Sequence, residues 1–242
     1  MRVDRVEAAQ VVIRELGPTG YETTWQAMQA FTAARDASTP DEIWLTSHPP
    51  VYTVGLAGRT AHYPRESNGI PVVRTDRGGQ ITYHGPGQAV AYTLVDLKRR
   101  RWGVRDYVRR LEGAVIELLA AHDVVAYGRN DAPGVYVNLA AGEAKIAALG
   151  LKVKNGCTYH GVSVNIRMDL APFLAIDPCG YPGLAVTQTS ALGITDGFDD
   201  LARALAASLK RMLEAPPGFA PAAPHQPAAD PASAAQHEST TP

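Results

Sequence analysis

The chain has 242 residues, 45% of them hydrophobic, with a formal net charge of −1 and 18 prolines. That length and apolar fraction suffice to bury a full core, in one large domain or in one domain with an appendage. A charge this near zero excludes the positive field of a general nucleic-acid binder, so partners have to be recognised locally.

The first residues, MRVDRVEAAQVVIRELG, alternate charged and short apolar pieces and lack the apolar core of a signal peptide. No apolar run approaches the ~18 residues of a membrane span, so a cytoplasmic protein that enters no membrane is expected. A strand is predicted at 11–16, followed by a helix with Tyr21, Trp25, Met28 and Phe31 at three-to-four spacing. Short β-type runs follow at 43–47, 51–54, 72–75 and 89–97. A second helical stripe carries Val104, Val108, Leu111, Val115 and Leu118. Strands are predicted at 124–127, 134–138, 144–149 and 159–166, and a last helix carries Phe198, Leu201, Leu205, Leu209 and Met212. Most connections from residue 124 onward are too short for a crossover helix, so these strands should pair antiparallel. The expected fold class is α+β, with a mixed, largely antiparallel sheet flanked by helices. Residues 214–242 are rich in proline and alanine, with Phe219 as the one large apolar side chain. They are expected to form a flexible tail outside a catalytic domain of 1–213.

The densest motif is RTDRGGQITYHGPGQAVAYTLVDLKRR, residues 74–100. Glycines 78, 79, 85 and 87 with Pro86 let a ligand approach the main chain closely, which suits a shaped pocket wall as well as ordinary turns. No GKS or GKT follows, and strand-like sequence rather than a helix comes next, so phosphate cradling is disfavoured. Arg77, Tyr83 and His84 give the segment polar chemistry. No second histidine stands at ligand spacing from His84, and no metal is expected.

There are two cysteines, without CxxC spacing, which fits a reducing compartment. Cys157 adjoins a strand-like run and reads as structural. Cys179 stands in the turn-forming segment DPCGYPG, where a nucleophile can be displayed on irregular backbone. A thiol attacks as thiolate, and Lys145, in EAKIAALG, is the amine that would promote that form.

RGGQITYHGPGQ, LVDLKRR, EAKIAALGLKV, GCTYHGVSVNIRMDLAPF and DPCGYPG, in this order over about residues 22–213, closely resemble the bacterial lipoyl(octanoyl) transferases of lipoate synthesis. The resemblance implies a fold shared with biotin and lipoate protein ligases. It implies Cys179 as the active cysteine and Lys145 as the lysine that lowers its pKa. Implied substrate-binding residues are Arg77, Gly78, Gly79, Gln80, Ile81, Thr82, Tyr83 and His84, then Ala148, Leu149 and Gly150, then Gly161, Val162 and Ser163. No cofactor is implied. The implied donor is octanoyl-acyl carrier protein; the acceptors are lipoyl domains of 2-oxoacid dehydrogenases and the glycine cleavage H protein. Neither nucleic acid nor membrane is a partner. Carrier proteins are acidic, so Lys98, Arg99, Arg100, Arg101, Arg105, Arg109 and Arg110 are expected as part of a docking face, the alternative being a solvated helix surface. Rival readings are an ATP-dependent lipoate or biotin protein ligase, a lipoyl-domain amidotransferase, and a non-catalytic acyl-binding module. Cys179 in its loop speaks against the ligase.

Overall fold

Period-two runs of β-branched and aromatic residues and three amphipathic stripes give the element order, in a computed structural model that describes residues 10–60, 63–177, 181, 183–216, 219 and 225–226. The chain runs β1 (Val11–Pro18), α1 (Tyr21–Ala34), β2 (Asp41–Ser47), β3 (Val51–Val54), β4 (Val72–Arg74), β5 (Ile81–His84) and β6 (Gln88–Leu94). It continues through α2 (Leu97–Arg100), α3 (Val104–Ala120), β7 (Ala126–Arg129), β8 (Gly134–Leu139), β9 (Gly142–Lys154) and β10 (Cys157–Asn165). β11 (Ala185–Val186), α4 (Phe198–Glu214) and β12 (His225–Gln226) close it.

The main sheet has the order β1-β2-β6-β10-β9-β8-β7-β12, with β11 alongside β9, and β4-β3-β5 form a small second sheet. Neighbours from β2 to β7 are antiparallel; β1 with β2, β11 with β9 and β12 with β7 are parallel. The expected α+β class is seen, and the four strands expected beyond residue 124, β7 to β10, pair antiparallel with one another, whereas the short β11 and β12 add parallel pairs. Asn155 and Gly156, at φ +55° and +89°, make the two-residue turn between β9 and β10, whose twist matches that of the strands.

Alternation sorts side chains to the two faces of the main sheet. Ile43, Leu45, Ala89 and Ala91 join the core under α3 and α4, where Leu111, Val115, Leu205 and Leu209 are fully buried. The interleaved Trp44, Val90 and Tyr92 pack with Met28 of α1. Tyr52, Ile81, Tyr83 and Phe173 form a smaller core at the second sheet.

Three local readings change. Residues 81–84 of the glycine-rich segment form a strand, β5, paired with β3. The strand expected to reach residue 97 stops at Leu94, because Asp96 accepts from Arg99 N–H at 3.0 Å and caps α2. Val104, placed in the apolar stripe, is 49% exposed, and Tyr107 is the first core residue of α3.

The basic run is also divided. The buried Asp41 carboxylate receives Arg35 and Arg99 at 2.6 Å and Arg100 at 2.8 Å. Arg110 is buried, with its guanidinium 4.1 Å over the Trp102 ring and donating to Met212 O at 2.6 Å. Arg99, Arg100 and Arg110 therefore serve the interior, because a buried carboxylate needs counter-charges and open carbonyls need donors. Lys98, Arg101, Arg105 and Arg109 stay exposed. No helix among the described residues is long and apolar enough to cross a membrane.

Asp41→Ala leaves three cations without their shared anion and is expected to lower stability by about 3–5 kcal/mol. Arg105→Ala, at an exposed position, should change it by less than ~0.5 kcal/mol. Urea unfolding of both variants measures the difference.

Candidate active site

β5, β6, β9 and β10 surround one cavity of about 770 Å³ including its open mouth. That lies within the ~300–1,000 Å³ usual for small-molecule sites. Every substrate-binding residue expected from the sequence lines it except Gly78 and Tyr83, and so does Lys145. Gly78 turns its N–H to Leu151 O at 2.7 Å. Tyr83 faces the smaller core, its ring edge-on to Phe173. Cys179 lies outside the described residues.

Lys145 enters the wall from β9, between Ala144 and Ile146, which are fully buried in the main core. Its own side chain is only 4% exposed. Nζ donates to Pro133 O at 3.0 Å and to Tyr136 Oη at 3.2 Å, and stands 5.1 Å from the Tyr136 ring centroid. A carbonyl, a hydroxyl and a ring face replace part of the water an ammonium loses on burial. Gly134 is needed for this fit: a Cβ there would lie 2.5 Å from Lys145 Cε, and its φ is +152°. The chain that follows Cys179 returns along the same strand. Val186 pairs with Lys145, and Thr187 N–H donates to Lys145 O at 2.9 Å.

The flanks of the Cys179 segment are also held. Arg65 lies 3.3 Å from the Asp177 carboxylate. Tyr181 Oη donates to Asp131 Oδ2 at 2.9 Å, and its ring centroid is 5.1 Å from the Arg129 guanidinium. Arg129 hydrogen-bonds to Asp131 and holds its carboxyl down at about 2.

Opposite Lys145 the cavity is polar, with the buried Arg77 guanidinium among its lining residues. Gln88 donates through Nε2 to Asn165 Oδ1 at 2.9 Å, so its oxygen faces His84 and accepts from Nδ1 at 2.7 Å. Asn165 Nδ2 donates in turn to Thr187 O at 2.9 Å. A hydrogen-bonded path thus runs from His84 to the backbone of Lys145. Burial pushes the His84 imidazole down to about 3. His48, behind the wall, donates through Nδ1 to Thr19 O and accepts from Tyr92 Oη, both at 2.7 Å, and burial lowers its pKa as well. His160, at φ +63°, meets Asp76 at 3.0 Å; burial lowers it more than the carboxylate raises it. Burial would raise Asp76, but donation from His160, Tyr159 and Trp25 outweighs it and keeps the carboxyl below its ordinary range.

Sequence reasoning missed Tyr21, Gln88, Tyr92, His160 and Asn165 as lining residues. Gln88 and Asn165 are directly opposed in the β6–β10 register, which no local pattern reveals. For His160 the available signal was its place immediately before Gly161. Cys157 is half-buried beside Asp96, and burial followed by that carboxylate pushes its thiol pKa up, the wrong direction for a nucleophile.

Residues 20–212 match the family model described as lipoyl protein ligase A/B catalytic domain. An octanoyltransferase of Nitrosospira multiformis is 62% identical over 194 residues, covering 80% of this chain and 88% of that protein. Among solved structures, a lipoate-protein ligase A bound with ATP superposes with a TM-score of 0.67 at 15% identity, covering 92% and 90% of the two chains. A biotin protein ligase from Aquifex aeolicus, in complex with biotin and ATP, gives 0.51 at 11% identity, over 85% of this chain and 70% of that one. These two ligases share the fold.

The buried histidines fix the sign of an acid effect. His48, His84 and His160 have folded pKa values below that of an unfolded histidine, ~6.5. The unfolded chain therefore takes up protons that the folded chain refuses, and stability falls as pH drops below ~6.5. Each such group contributes a slope of at most ~1.4 kcal/mol per pH unit. His84→Asn should make the loss of stability between about pH 6.5 and 5 shallower than in the wild type, read from urea midpoints across that range.

Proposed function

The chain belongs to the octanoyltransferases within the lipoyl protein ligase A/B catalytic-domain family, and on that footing we propose that it carries its octanoyl group as a thioester on Cys179 between octanoyl-acyl carrier protein and a lipoyl-domain lysine. It is an acyltransferase of protein lipoylation. The observation that carries the finer reading is Lys145: a buried lysine amine in the wall of an acyl-sized cavity, with the strand that follows the Cys179 segment knitted to its backbone.

Covalent reach supports the pairing. Cys179 stands two residues from Tyr181, whose hydroxyl is anchored on Asp131, and two residues span at most ~7 Å. Asp131 in turn is two residues from Pro133, the carbonyl that holds Lys145 Nζ. The chain on the C-terminal side of Cys179 is thereby linked, through Tyr181 and Asp131, to the loop whose Pro133 carbonyl holds Lys145.

The Cys179 thiolate, favoured by the neighbouring ammonium, attacks the octanoyl thioester carbonyl. The carrier's phosphopantetheine thiolate leaves and takes up a proton. The acceptor lysine then attacks the new thioester as a free amine, the amide forms, and Cys179 leaves as thiolate while the amine's extra proton is lost. A thioester is already activated, so the transfer runs without ATP. Lysine rather than arginine suits the cycle because an amine can accept and return a proton, whereas a guanidinium stays charged. The small residues Ala147, Ala148, Gly150 and Gly161 leave room for the acyl chain. The acceptors in this reading are the lipoyl domains of 2-oxoacid dehydrogenases and the glycine cleavage H protein. The free Cys157 thiol accords with a reducing cytoplasm.

Intact-mass analysis of the full chain mixed with octanoyl-acyl carrier protein, without ATP, should show one octanoyl adduct in the wild type and in Cys157→Ser. Cys179→Ala should show none and transfer nothing. Lys145→Arg should lose about 100-fold or more in rate. An adduct on Cys157, transfer surviving Cys179→Ala, or a requirement for ATP would reject the thioester route, the last in favour of a ligase.

A further inference from the structure

A second buried ionisable side chain binds the same peptide group as Lys145, and the chemistry above does not use it. Glu112 projects from α3 and is 1% exposed. A carboxylate so deep in a core is costly unless something it binds requires it. Its Oε1 accepts from the Gly134 N–H at 2.9 Å. The carbonyl of the same peptide group, Pro133 O, accepts from Lys145 Nζ at 3.0 Å. A trans peptide is a rigid plane whose C=O and N–H point in opposite directions. Glu112 and Lys145 therefore grip one rigid unit from its two sides.

The grip bears directly on the ammonium. A Cβ on Gly134 would lie 2.7 Å from Lys145 Nζ, so this backbone is already in close contact with the lysine's end and any tilt of the peptide displaces it. The approach to that peptide is fixed at its outer end. Asp131 is tied to Arg129 at 2.6 Å, and Ala132 O accepts from Tyr136 Oη at 2.8 Å. Glu112 supplies the anchor on the core side. Acceptance by a carboxylate is charge-assisted, and it polarises the peptide so that the carbonyl oxygen facing the ammonium becomes a better acceptor.

We propose that Glu112 is a positioning residue of the transfer reaction, holding the Pro133–Gly134 peptide so that its carbonyl fixes Lys145 Nζ in the cavity wall. This rests on the reading that Lys145 serves Cys179.

The test uses the full chain and steady-state octanoyl transfer, with thermal melts, for Glu112→Leu, Glu112→Gln and Lys145→Met. Leucine removes the acceptor. It should lower kcat by about 100-fold, the cost of displacing a group near the chemistry, and leave KM within about threefold. Glutamine keeps an oxygen for the Gly134 N–H but not the charge, and should recover kcat to about three- to tenfold below wild type. A merely structural carboxylate would lower the melting temperature and the active fraction without this split or this rescue. Wild-type kcat in Glu112→Leu beside an inactive Lys145→Met would overturn this inference alone, as would Glu112→Gln being as slow as Glu112→Leu. Wild-type kcat in Lys145→Met would overturn the reading of Lys145 and this inference with it. If Glu112→Leu does not fold, Glu112→Gln decides: a lowered kcat at unchanged KM and melting temperature supports the role, and an unchanged kcat rejects it.

Discussion

Keeping a lysine amine in the wall of a buried cavity is the constraint around which this end of the molecule is arranged. An amine placed at 4% exposure has lost most of its water, and each lost hydrogen bond has to be replaced by an oxygen at the right distance. Pro133 and Tyr136 supply those oxygens. Their positions depend on the register shift between Val135 and Tyr136, which lets β8 bring both a carbonyl and a hydroxyl to one nitrogen. Gly134 is there because any side chain would fill the space of the lysine. The parallel pairing of β11 makes the chain after Cys179 part of the same strand system.

Apart from the Arg77 guanidinium, held by Thr53 and the Gly78 carbonyl, the other titratable side chains of the cavity stay neutral for the same electrostatic reason. Burial keeps His48, His84 and His160 uncharged, and it raises the hydroxyl pKa of Tyr92 well above the usual value. These neutral side chains add no further ion to be desolvated, yet they still hydrogen-bond to one another. The path His84–Gln88–Asn165–Thr187 joins the far wall to the backbone of Lys145, so the two sides of the cavity hold a fixed spacing. Such a mount suits transfer chemistry, where the reacting groups gain most from being held before the substrate arrives.

Charge elsewhere is spent on architecture. Arg35, Arg99 and Arg100 converge on Asp41, and Arg110 ties α3 to the carbonyls of Met212, Pro216 and Phe219. A density of arginine in sequence is therefore a poor guide to a binding surface. On α2, α3 and the turn between them, Lys98, Arg101, Arg105 and Arg109 remain outside, a narrower cationic face than the run suggests.

Helical stripes, strand runs and short connections were legible because each is a local pattern with a fixed period, and they determined the α+β class and the antiparallel order of β7 to β10. The glycine-rich segment and the small residues near 148 and 161 announced a cavity wall, since close approach to backbone is something only small residues permit. Tertiary structure decided the rest. Gln88 meets Asn165 only because β6 and β10 are neighbours in that register. Arg100 and Arg110 look like surface until Asp41 and Trp102 come to cover them. Glu112 reads in sequence as an ordinary helix residue, and its tie to Gly134 exists only once α3 is packed on the sheet. Period and composition record which face a residue occupies, whereas the partner across the fold is fixed by packing between segments far apart in the chain.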